Sequence, residues 1–236
     1  MNSLEKILCL LSAAALVFLL GCDNPAAPVP TEGLIKISIK SLSVPTSQSL
    51  RKLAGAATIT NARIVIAEIE FENSVRDSVD FELEDPFVQN LAVDTSLHEI
   101  ATVQVPFGSY KEMEVQIDEL KARDSTAYQQ NPQLQNLSIR VEGFLDDVVT
   151  DTFVFTSDVS AAQEREFKPP LVIDENSPTS NVVLTIDMGM WFVDEDGKLL
   201  DPRREQNRRA IEKNIKASFD VFEDEDDDGK RDGDDD

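Results

Sequence analysis

The chain has 236 residues, 41% of them hydrophobic and 28% charged, enough for one folded domain or at most two. It carries 45 Asp and Glu against 22 Lys and Arg, a formal net charge of −23, which is the wrong sign for binding nucleic acid by phosphate neutralisation. Two cysteines and one histidine leave little for thiol, imidazole or zinc chemistry.

A short polar start (Asn2, Ser3, Glu5, Lys6) precedes an apolar run from Ile7 to Leu20. That run is too short for a bilayer-spanning helix, which needs about 20 apolar residues. It ends in Leu19-Leu20-Gly21-Cys22 and turns at once to Asp23-Asn24-Pro25-Ala26-Ala27-Pro28-Val29-Pro30. This resembles the lipobox of bacterial lipoproteins. The resemblance implies that residues 1–21 are a signal peptide and that Cys22 becomes an acylated N-terminus. At about 0.8 kcal/mol per buried CH₂, two or more acyl chains anchor a protein stably where one does not. Cys9 would leave with the signal, so a disulfide framework is not expected. Residues 22–33 read as a proline-rich spacer. The implied location is the cell envelope, facing the periplasm or the exterior. The outer membrane is favoured, while Asp23 after the cysteine resembles an inner-membrane retention signal.

From Leu34 to Leu200 the dominant period is two. Ile35, Ile37 and Ile39 alternate with Lys36, Ser38 and Lys40; Met113, Val115 and Ile117 alternate with Glu112, Glu114, Gln116 and Asp118. Leu137, Ile139 and Val141, and Val182, Leu184, Ile186 and Met188, repeat the pattern. Each predicts a strand with one buried and one wet face. Further strands are expected within Ala62–Phe71, Asp80–Leu83, Glu99–Val105, Thr152–Thr156 and Leu171–Ile173. Turn formers separate them, among them Pro106-Phe107-Gly108 and Asp194-Glu195-Asp196-Gly197. Short strands without intervening amphipathic helices predict a mainly β protein, an antiparallel sandwich over residues 34–200. The run Val103-Gln104-Val105-Pro106-Phe107-Gly108-Ser109-Tyr110 resembles the Val-Pro-x-Gly-x-Tyr turn of prealbumin-like β-sandwich domains, which, like the immunoglobulin-like ones, are stacked antiparallel sheets. The resemblance implies a fold and transfers no activity.

Asp201-Pro202 suits an N-cap and first helical position, and Ile211, Ile215, Phe219 and Phe222 then recur at helical spacing, predicting a helix over 201–222. Arg203, Arg204, Arg208, Arg209, Lys213 and Lys216 make it basic, suited to a solvated face, to the acidic sandwich surface or to anionic headgroups. Residues 223–236 form an acidic tail. In it Asp224, Asp226, Asp228, Gly229, Lys230, Asp232 and Asp235 occupy places 1, 3, 5, 6, 7, 9 and 12 of a twelve-residue calcium loop. This resembles the EF-hand or dockerin loop. By that resemblance the five aspartates and the Lys230 carbonyl are metal ligands, and Gly229 permits the sharp turn. Place 12 departs from the family's glutamate, and Arg231 stands at place 8 where an apolar residue is usual. The alternative is a solvated polyanionic tail.

No glycine-rich phosphate loop, His-Glu-x-x-His pattern or nucleophile elbow is present. His98 is expected at the surface or a strand end. Trp191 is expected as a core plug, against a sugar-stacking platform. The reading that results is a membrane-anchored envelope lipoprotein and a non-enzymatic binding or structural module. Its expected associates are the covalent lipid on Cys22, calcium at the tail, and an envelope protein or glycan, with no nucleic acid. The alternative is a solute- or glycan-binding lipoprotein that uses the sandwich face.

Overall fold

The computed structural model describes residues 31–42, 57–75, 80–91, 96–146, 148–224 and 229–231. The chain divides at Pro30, and the described residues all belong to the unit Thr31–Asp236. The signal peptide, Cys22 and most of the spacer lie outside the described residues. Among those described, no helix is long and apolar enough to cross a membrane.

Alternation becomes strand wherever one face can be buried. The strands are β1 (Glu32–Leu42), β2 (Ala57–Asn73), β3 (Phe81–Leu83), β4 (Phe87–Leu91), β5 (Leu97–Pro106) and β6 (Gly108–Ile117). They continue with β7 (Ile139–Leu145), β8 (Thr152–Ser157), β9 (Ala161–Ile173), β10 (Thr179–Asp187) and β11 (Phe219–Glu223). Two helices join them, α1 (Ser125–Gln130) and α2 (Arg208–Ala217). A four-stranded sheet runs β11-β10-β1-β5 and a seven-stranded sheet runs β8-β7-β2-β6-β9, with β3 and β4 also paired to β2. The fold is a mainly β, sandwich-like one in which both sheets contribute to a single core.

The four-stranded sheet is mixed rather than purely antiparallel. β1 pairs parallel with β10, Leu34 opposite Thr179 through Leu42 opposite Asp187, and antiparallel with β5. Parallel neighbours need a long crossover, here the whole seven-stranded sheet. In that second sheet β2 is the organiser. Its first half pairs with β7 and its second half with β6. Register shifts between Ile59 and Asn61 and between Ile66 and Glu68 break its alternation. Between those shifts Ile64 and Ile66 face the main core and Val65 the opposite side, and all three are fully buried. Val65 enters a second small cluster with Leu120 and Leu134, against which Ala127 and Tyr128 of α1 pack.

Two expectations are corrected. The helix expected over 201–222 is confined to Arg208–Ala217, after a 3₁₀ turn at Glu205–Asn207. Asp201 does not cap it: its carboxylate accepts from Arg203 N–H at 3.0 Å and from the Arg203 guanidinium. Phe219 and Phe222 fit helical spacing, yet Phe219-Asp220-Val221 also alternates, and the open edge of β10 takes the segment as β11. The sandwich therefore extends past residue 200 and includes Phe219–Glu223. The short helix α1 and the strand β4 stand where no element was expected.

Candidate functional site

The acidic tail begins where β11 ends. Asp224 extends the β10–β11 register by one more pair: its N–H donates to the Asn181 carbonyl oxygen at 3.0 Å. Side chains directly opposite share a face, here the outer face of the four-stranded sheet. Asp224 is fully buried. Its Oδ2 accepts the Gly229 N–H at 2.8 Å, and Gly229 is left-handed at φ 71°. Places 1 and 6 of the expected calcium loop are thus closed on one another. The Asn181 side-chain oxygen is buried without a hydrogen-bond partner. An orphaned acceptor opposite a buried carboxylate is what a hard cation would satisfy, since Ca²⁺ takes six to eight oxygens.

Charge on the protein side also bears on the loop. Lys40 Nζ donates to the Gly229 carbonyl oxygen at 2.5 Å. Arg231 pairs with Asp220 at 2.8 Å and lies 5.5 Å from the Phe222 ring centroid. The Gly229 carbonyl is not a ligand place of the expected loop, and the Lys40 ammonium bound to it opposes a second cation close by. Lys230 is exposed. Asp226, Asp228, Asp232 and Asp235 lie outside the described residues, as does Cys22.

A second charged feature lies on the outer face of the seven-stranded sheet. Register places Glu82, Glu70, Glu114 and Glu164 in one row across β3, β2, β6 and β9. A second row holds Glu72, Glu112 and Glu166. One carboxylate oxygen from each of Glu68, Glu70 and Glu82 lies within 4.8 Å of the others. Partial burial, then the neighbouring carboxylates Glu82, Asp80, Glu114 and Glu68, pushes the Glu70 carboxyl above its ordinary range. Burial followed by Glu164 and Glu68 does the same to Glu114, and burial followed by Glu164 raises Glu112. The second row has cations: Lys111 binds Glu72 at 2.6 Å and Lys168 binds Glu166 at 2.5 Å. The first row has none among the described residues. Sequence reading missed this face as a site. The signal was present as Glu-x-Glu spacing at 68–72, 112–114 and 164–166, but only register lines the runs up.

The remaining candidates resolve simply. Trp191 is fully buried and its indole N–H donates to Ser218 Oγ at 2.9 Å, so it plugs the core and offers no stacking surface. His98 is exposed on β5. Asp194–Gly197 is a tight turn: Asp194 Oδ1 accepts the N–H groups of Asp196 and Lys198, and Gly197 has φ 76°. A cleft of about 510 Å³ lies between the β3–β4 turn and α1, with Phe87 and Ala127 in its wall and Asp85, Arg123 and Gln130 among its polar lining.

Compared with known proteins, the chain matches no family model, no curated protein and no solved structure.

Proposed function

We propose that this chain is a lipid-anchored protein of the bacterial cell envelope, acylated at Cys22. In this reading it is a non-enzymatic binding or structural module whose C-terminal loop takes calcium. The Leu19-Leu20-Gly21-Cys22 run supports the anchor. The calcium reading is carried by one observation: the 2.8 Å bond from Gly229 N–H to the buried Asp224 carboxylate, opposite the unpaired Asn181 oxygen. Asp224 at the start of that loop and Asn181 on β10 would hold the ion with the other expected ligands, and its charge would order the tail against β10 and β1. The finer assignment of the sandwich to the prealbumin-like kind also belongs here. Its support is the Tyr110 hydroxyl, which donates to the Pro106 carbonyl oxygen at 2.8 Å inside the Val-Pro-x-Gly-x-Tyr turn.

The test is a thermal melt of the full chain in chelator and in about 10 mM calcium. A weak extracellular-class site, about 10⁻⁴–10⁻³ M, would stabilise by about 1.4–2.7 kcal/mol. For a domain of this size that is a rise of about 3–10 °C. Asp224→Asn, which keeps an acceptor for Gly229 but loses the charge, is expected to abolish most of the rise. No calcium response in the wild type would reduce the tail to a polyanion. For the anchor, Cys22→Ser is expected to move the protein from the membrane fraction to the soluble one; an unchanged distribution would remove the lipid from the reading.

A further inference from the structure

Two faces of this molecule carry unneutralised charge of opposite sign. On α2, at 100° per residue, Arg209, Lys213 and Lys216 fall within a 60° arc opposite the buried Ile211 and Ile215. All three are exposed. Arg209 and Lys216 make no ion pair among the described residues, and Lys213 reaches only Glu195, at 3.6 Å, whose side chain is 96% exposed. A pair that open to solvent holds little. The other face is the row Glu82, Glu70, Glu114 and Glu164, to which the described residues supply no cation although they supply two to the row beside it.

The two faces cannot meet within one copy. Arg208 Nη1 donates to the Thr156 carbonyl oxygen on β8 at 2.8 Å, and Ser157 Oγ donates to Glu212 at 2.7 Å. These bonds hold α2 at the β8 edge, while the row runs over β3, β2, β6 and β9. With Ile211 and Ile215 in the core, the cationic arc faces away from the molecule.

The spacings match. Along a helix axis at about 1.5 Å per residue, the cations stand at about 0, 6 and 10.5 Å. Across the sheet, carboxylates on neighbouring strands repeat at about 4.8 Å. A helix laid across the strands meets one carboxylate per cation with an offset of about 1 Å, well within the reach of Lys and Arg. We propose that copies of this chain associate head to tail, the Arg209-Lys213-Lys216 face of one copy docking across the Glu82-Glu70-Glu114-Glu164 row of the next. Burial and then neighbouring carboxylates raise Glu70 and Glu114, and a cationic partner would offset the second of these causes. Because the two patches differ, the contact is heterologous and repeats into rings or chains. The net charge of −23 opposes it at long range. Association is therefore expected at about 0.15 M salt, where the Debye length of about 8 Å screens distant charges, and is lost near 1 M, where about 3 Å screens the contact itself.

The test is sedimentation velocity of the full chain in neutral detergent at about 100 µM. One variant reverses the helix (Arg209→Glu, Lys213→Glu, Lys216→Glu) and another reverses the row (Glu70→Lys, Glu114→Lys, Glu164→Lys). The wild type is expected as oligomers, each variant alone as monomer, and their equimolar mixture as oligomers again. Should the row variant not fold, Glu82→Lys with Glu164→Lys, both at exposed positions, replaces it. A monomeric wild type overturns the proposal, as does an oligomer that both reversals leave intact. Flotation of the unacylated Cys22→Ser chain and its two charge-reversed forms with phosphatidylglycerol vesicles gives the third outcome. Vesicle binding lost on reversing the helix but kept on reversing the row would assign the cationic face to a membrane and overturn self-association.

Discussion

Gly143 lies on β7 where an added Cβ would run into the Thr58 carbonyl oxygen of β2 and the ring of Phe153 on β8. Neither a backbone oxygen nor a ring packed at 5.2 Å against Phe192 can withdraw cheaply. Gly143→Ala is expected to destabilise by about 1–3 kcal/mol, read as a lower urea midpoint with unchanged slope. An unchanged midpoint would mean that β2 and β8 yield at this point. Nothing in the local sequence marks Gly143, because the atoms that forbid a side chain come from β2, far away in the chain, and from across the β7–β8 pairing. Trp191 is different: one tryptophan between a strand and a polar stretch already reads as a plug. What the sequence lacked there was the partner of its N–H, Ser218, which the end of α2 presents.

At the scale of elements, α2 closes the edge of the seven-stranded sheet. β8 is the end of the strand order, and an uncovered edge invites pairing with another chain. Arg208 guards it, donating to the Thr156 carbonyl oxygen at 2.8 Å and lying 5.4 Å from the Phe155 ring centroid. Arg208→Ala is expected to cost about 1–2 kcal/mol, since its side chain is still 36% exposed. Faster hydrogen exchange in Thr152–Ser157 would identify edge opening as the cause; protection unchanged there would place the role of Arg208 elsewhere. The strong alternation of β1 and β6 was legible because a single buried face imposes period two. The helix boundary was not. Phe219 and Phe222 fit the helical period while Phe219 and Val221 fit the strand period, and only the unpaired edge of β10 decides between them. At the other edge of β11, Arg165 of β9 donates to the Phe219 carbonyl oxygen at 2.8 Å and joins the two sheets.

For the whole molecule the governing quantity is charge. Folding raises the carboxyls of Glu70, Glu112 and Glu114 above the ordinary glutamate value of 4.5. Between that value and their raised ones the folded state binds more protons than the unfolded chain, so stability falls as pH rises through the window. Asp201 has the opposite sign. The Arg203 guanidinium holds its carboxyl below the ordinary 3.8, and the stabilisation, complete above 3.8, is lost as pH falls through the lowered value. The melting temperature is expected to rise from about pH 7 to about pH 5 and to fall again in stronger acid. Glu114→Gln should be more stable than the wild type at pH 7 and show a smaller rise. A melting temperature that declines steadily from neutrality would contradict the assignment of strain to this face.

The sequence by itself determined the composition of each face: which residues alternate, which strands carry outward glutamates, where a cysteine follows an apolar run, and that a run of aspartates interrupted by Gly229 and Gly233 follows the last strand. Those properties are local, because periodicity, turn chemistry and spacing act over a few neighbours. The tertiary structure alone decided what the faces meet. It set Glu82, Glu70, Glu114 and Glu164 in one row, placed Asn181 opposite Asp224, and brought Lys40 to Gly229. Each of these pairings joins segments far apart in sequence through strand register, and register is chosen by the burial of the opposite face. The charged groups lie where the buried side chains behind them leave them.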